Sequence, residues 1–118
     1  MHTPATLKHT LHAREATGTA TEPQDTALWS VLDLAQRLHD YATATDTPDK
    51  LLAAGRIDEV AQDTAMLARH LDDVDVVANR CLDVIEHPQE WADPDDATEM
   101  AEELVELVAA MMERQQAA

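Results

Sequence analysis

Carboxylates are the side chains of this sequence best spaced to do chemistry. Acidic residues three apart occur at Asp72 and Asp75, at Glu99 and Glu102, and at Glu103 and Glu106. On an α-helix a three-residue step puts both groups on one face, where a pair can hold Mg²⁺ against a substrate diphosphate. The ordinary reading of the same pattern is a solvated acidic surface. The histidines offer less. His9 and His12 could share one helix turn and, with His2, gather a metal. Such a site needs a third fixed ligand and partners that orient the imidazoles, so these three are read as exposed. His39 and His70 each border an apolar stripe and are read as edge residues whose rings cover apolar surface. Nucleophiles are scarce. Cys81 is the one cysteine, set among Ala78 and Leu82, and is expected to be a small buried hydrophobe. Ser30 is the only serine and lacks the strand-turn-helix setting of a hydrolase nucleophile. With Gly18 and Gly55 as the only glycines, there is no phosphate-cradling loop.

The paired carboxylates loosely resemble the Glu-x-x-Glu and Glu-x-x-Asp pairs of all-helical nucleoside triphosphate pyrophosphatases, which are dimeric bundles. That resemblance implies a Mg²⁺-dependent nucleotide pyrophosphatase using Asp72, Asp75, Glu99 and Glu102. Here aspartate replaces the first glutamate, and no lysine or arginine cluster accompanies the pairs to grip phosphates. Arg80 and His87, with six residues between them, resemble the Arg-x4-6-His motif of HEPN-type RNases. The match is two residues, and the ordinary reading is a surface arginine with a histidine favourably placed at a helix C-terminus. Neither His39 nor His70 has a glutamate three residues before it, so the spacing of di-iron bundles is missing.

The elements that must position these groups are helical. Thr21 with Gln24 makes a capping box, and Leu28, Val31, Ala35, Leu38 and Ala42 follow in steps of three and four. Thr47-Pro48-Asp49 is a second helix start. From there Ile57, Val60, Thr64, Leu67, Leu71, Val74, Ala78, Cys81 and Ile85 step evenly, with no Gly or Pro between Arg56 and His87. This pattern predicts one continuous helix of about 30 residues, roughly 45 Å long, with Gly55 its weak point. His87-Pro88 ends it. Asp96 with Glu99 caps a last helix whose stripe is Ala97, Met100, Leu104, Leu107 and Met111.

The fold expected is therefore all-α: an antiparallel up-down bundle of three main helices, or four if the chain splits near Gly55, with a long central helix. Residues 1–22, rich in threonine and holding three histidines, are expected to form a flexible tail ahead of an acidic bundle over 23–118. The long helix should overhang shorter neighbours, and Trp29, Val76, Val105 and Met112 lie off the main seams. Those four are the expected interface of a homodimer, unless the tail or residues 48–54 fold back over the excess.

Composition sets the outer bounds. The 118 residues carry 24 acidic and 8 basic side chains, a formal charge of −16. A field of that sign opposes direct binding of nucleic acid or anionic membrane, while a basic protein partner or a metal cation suits it. No run approaches a membrane span, and the start of the chain lacks a secretory apolar region, so a cytoplasmic location is expected. Residues 90–113 hold nine acids and no basic residue, and Glu99, Glu102, Glu103 and Glu106 are the expected acidic surface. The function expected is protein–protein interaction, as a regulator or adaptor and in its sharper form as a nucleic-acid mimic, with no cofactor. The alternative is the Mg²⁺-dependent enzyme.

Overall fold

In the computed structural model, which describes residues 2–16 and 22–117, all regular structure is helical. Among the described residues there are five α-helices, not three: α1 (Pro4–Ala16), α2 (Glu22–Thr43), α3 (Thr47–Leu67), α4 (Val74–Glu86) and α5 (Pro94–Ala117). Short 3₁₀ turns at Ala68–His70 and Pro88–Glu90 join α3 to α4 and α4 to α5.

The centre of the molecule is α2. Of its expected stripe, Leu28, Val31, Ala35 and Leu38 are fully buried and Ala42 is partly buried; Ala27, Leu32 and Leu34 are fully buried as well. At about 100° per residue these positions sweep roughly 160° of the helix surface, wide enough to face several neighbours. The helix packs on α1, α3 and α5. Contacts at its two ends fix their directions. Ser30 meets Thr64 of α3 while Tyr41 lies under Lys50, so α3 runs antiparallel to α2. Asp25, near the start of α2, pairs with Arg14 at 3.2 Å, and Arg14 also donates to Gln115 near the end of α5 at 3.0 Å. Both α1 and α5 therefore run antiparallel to α2. Arg114 pairs with Asp73 and Arg80 with Glu103, which sets α4 antiparallel to α5.

The continuous rod expected from Arg56 to His87 is not formed. The chain leaves α3 through the turn at Ala68–His70, passes an extended Leu71 (φ −105°, ψ 150°), and re-enters helix after Asp73. Gly55, the expected weak point, lies inside uninterrupted α3. The reason for the break is one of phase. Ile57, Ala61, Thr64 and Ala68 form the buried stripe of the first half, and Val77, Cys81 and Val84 that of the second. On one straight helix the two stripes would point about 195° apart, so a single core can bury both only if the chain reverses. Asp72 and Asp73 favour that reversal, because aspartate is a poor interior helix residue and a good N-terminal one. The reversal lays α4 against α3, and it removes the overhang from which a second subunit was argued.

Residues 4–16, expected to belong to a tail, form α1. Thr3 starts it: the Thr6 N–H donates to Thr3 Oγ1 (3.2 Å) and the Thr3 N–H donates to Thr6 Oγ1 (3.0 Å), a threonine version of the capping box with Pro4 at the first helical position. Leu7 and Leu11, one turn apart, are buried in the common core. The chain start thus folds back over α2. The proposed cap at Thr21 lies outside the described residues. Elsewhere the local signals hold. Asp46 Oδ1 accepts from the Asp49 N–H at the start of α3, and α4 stops at Glu86, before His87-Pro88. The last helix begins earlier than the Asp96–Glu99 box: Asp93 caps it, accepting the Asp95 N–H at 2.8 Å.

Candidate functional site

Helix α5 organises what the molecule shows to solvent. Its inner arc, including Ala97, Leu104, Val108 and Met111, is buried, and Glu99, Glu102, Glu103 and Glu106 share the opposite, exposed face. Of these four only Glu103 is paired with a cation among the described residues, Arg80 at 3.2 Å. With seven residues rising about 10 Å, the four carboxylates form a dense negative strip.

The other sequence-expected residues are scattered. Asp75 is exposed in the first turn of α4, while Asp72 sits in the turn before it, so the two do not share a helix face. Asp73, between them, pairs with Arg114, whose pKa is held above its ordinary value by that hydrogen bond. No group of three or more His, Cys, Asp or Glu among the described residues is arranged to hold a metal. His9 and His12 are exposed on α1, and His70 accepts from Arg69 Nε at 3.3 Å. Arg80 is engaged by Glu103, and His87 ends α4. Ser30 Oγ lies 2.6 Å from Thr64 Oγ1 and joins α2 to α3. Cys81 is buried against α3 as expected, and desolvation pushes its thiol up to about 12, which leaves negligible thiolate at neutral pH.

The four residues expected to make a subunit interface separate into two kinds. Trp29 and Val76 are partly exposed, at 39% and 46%. Trp29 has Lys8 over its ring, 5.0 Å from the centroid, and Lys8 also pairs with Asp33. Val105 and Met112, by contrast, are only 4% exposed. They belong to the cluster that holds Leu7 and Leu11, and so are core of this chain, not surface for another.

Two clefts flank α5. The first, about 520 Å³, lies between the start of α1 and the α2–α5 seam. Its apolar wall is Pro4, Ala5, Ala35, Ala101 and Val105, with His2, His39, Glu102 and Glu106 at its polar positions. The second, about 370 Å³, lies between α4 and α5, lined by Val76, Leu104 and Leu107 and spanned by the Arg80–Glu103 pair. No known protein family, curated protein or solved structure matches the chain. Whatever function is assigned must come from these surfaces. No helix among the described residues is long and apolar enough to cross a membrane.

Sequence reasoning missed three features here. Trp91 is buried, donates Nε1–H to Val84 O (2.9 Å) and meets Tyr41 edge-on at 5.2 Å. The buried Arg14–Asp25 pair ties α1 to α2. The first cleft is made by small residues on three helices. The Thr3-Pro4-x-Thr6 start was a readable signal for α1, but a lone tryptophan in a loop has no periodicity to announce it.

Proposed function

We propose that this protein is a non-enzymatic interaction module, a regulator or adaptor built on an up-down helical scaffold, that presents the α5 face to a basic protein partner. The observation that carries the reading is the strip of Glu99, Glu102, Glu103 and Glu106, all exposed and, apart from Glu103, outside any ion pair among the described residues. Its sharper form is a nucleic-acid mimic. Four carboxylates over about 10 Å approach the spacing of one DNA strand, whose phosphates repeat about every 3.4 Å. The reading does not depend on a homodimer, since Val105 and Met112 face inward.

Fluorescence anisotropy with a labelled Lys/Arg-rich amphipathic peptide tests it. Affinity should fall steeply from low to high salt, and replacing all four glutamates by glutamine should remove most of it. Neutralising Asp58, Glu59 and Asp63 on α3 should change it little. Equal losses from the two variants would reduce the effect to net charge and overturn the assignment. Release of diphosphate from nucleotides with Mg²⁺, abolished by Asp75→Asn, would replace it with the enzymatic alternative.

A further inference from the structure

The geometry points to a second site, which shares Glu102 and Glu106 with the acidic strip but needs no protein partner: the cleft at the start of α1 binds a small organic cation with an apolar body. The cleft exists because its walls lack bulk. Pro4 and Ala5 on α1, Ala35 on α2 and Ala101 on α5 are all small, and the three helices meet there without side chains to fill the space between them. Protein interiors are close-packed, and unfilled apolar volume forfeits contacts. A chain selected only for stability would place a leucine at one of these positions. The volume of about 520 Å³ falls within the range of sites that enclose small ligands, which are mostly apolar with a few convergent polar groups.

Charge selects the ligand class. Glu102 and Glu106 are the charged carboxylates of the lining, beside His2, His39 and the uncharged Gln36 and Thr98; no lysine or arginine lines the cleft, and neither glutamate is in an ion pair among the described residues. An anion would be repelled. A neutral apolar molecule would gain nothing from the two exposed carboxylates. An ammonium carried on an aromatic or alkyl body satisfies both features: the body lies against Pro4 and Ala5 over the buried seam of Ala35, Ala101 and Val105, and the charge sits against the two glutamates.

The test uses the full chain, ¹⁵N-labelled, titrated at fixed ionic strength with benzyltrimethylammonium, benzoate and benzyl alcohol. The cation should bind at least tenfold more tightly than the other two, with amide shifts centred on Ala35, Gln36, Ala101 and Val105. Ala101→Leu, which fills the cleft and leaves the acidic strip intact, should abolish this binding, raise the melting temperature, and leave the basic-peptide affinity unchanged. Should that variant fold poorly, Glu102→Gln with Glu106→Gln must weaken cation binding at least tenfold at unchanged helicity. Equal binding of all three probes, shifts centred elsewhere, or undiminished binding to the folded Ala101→Leu or double-glutamine variant would overturn the site.

Discussion

Helices α2 and α4 share one core but are held by different means. The first runs 22 residues and is buried over a broad arc against three other helices. The second runs 13 residues and buries only Val77, Cys81 and Val84. Among the described residues α4 is further held by packing on α3, by the Trp91 hydrogen bond to Val84 O and, on its α5 side, by the bridges Arg80–Glu103 and, at its N-cap, Arg114–Asp73. Bridges of that exposure contribute little to stability. The contrast teaches that the most regular apolar pattern in the sequence does not mark the element most deeply anchored. Stability tracks how many neighbours a helix faces, and α4 should open before α2 does.

The largest test of that contrast is truncation of one core side chain in each helix. Leu32→Ala removes a fully buried side chain from the hub and should cost about 2–5 kcal/mol, read as a lowered urea midpoint. Val84→Ala deletes a smaller volume at the periphery and should cost clearly less. Native-state hydrogen exchange on the unmodified protein should show the amides of α4 exchanging faster than those of α2. Equal protection would mean that the two helices unfold as one unit and would erase the distinction.

A smaller effect isolates the clip at the end of α4. Trp91→Phe keeps an aromatic ring against Tyr41 but deletes the donor to Val84 O. A buried carbonyl loses its side-chain partner, at a cost of about 1–3 kcal/mol. Hydrogen exchange should accelerate in α4 and leave α2 unchanged. Uniform acceleration would show that Trp91 supports the whole core and not α4 in particular.

How much of this was legible in the sequence follows the same division. The stripe of α2 was readable because a leucine, valine or alanine recurs every turn on one face, whereas the inner face of α5 was readable in part: Ala97, Met100, Leu104 and Met111 are buried as their spacing predicts, but Val105 and Met112, set off that stripe, are buried too. The proline signals at Thr47-Pro48 and His87-Pro88 gave correct boundaries. The break after Ala68 was not readable by stepping threes and fours, since Val60, Leu67, Val74 and Ala78 let the count pass smoothly through a reversal of phase. Only the stripes that are in fact buried, Ile57-Ala61-Thr64-Ala68 and Val77-Cys81-Val84, expose it. Helix α1 was only weakly signalled because two leucines make too little pattern, although its cap was present in Thr3 and Thr6. The acidic strip could be read directly, because exposed charge needs no partner to be recognised. The cleft could not, because it depends on which small residues of different helices come to face one another.

The smallest effect is a pH dependence seated in α4. Cys81 has its thiol pKa raised from 9.0 to about 12 by burial, so the folded state keeps its proton where the unfolded chain releases it. Between those values the unfolded state binds fewer protons than the native state, and stability falls as pH rises. The contribution is fully present below pH 9, is reduced by about 1 kcal/mol at pH 10, and continues to fall towards the folded pKa. The informative quantity is a difference between the protein and a variant that lacks the thiol. Urea unfolding at pH 8 and pH 10 should show a larger alkaline loss for the unmodified protein than for Cys81→Ala, whatever the variant's own stability. Iodoacetamide should leave Cys81 unmodified in the native protein at pH 8 and label it on unfolding. Labelling that outruns exchange of the α2 amides but keeps pace with those of α4 would place the thiol's exposure in the opening of α4 alone. Labelling no faster than the α2 amides would place it in unfolding of the whole molecule.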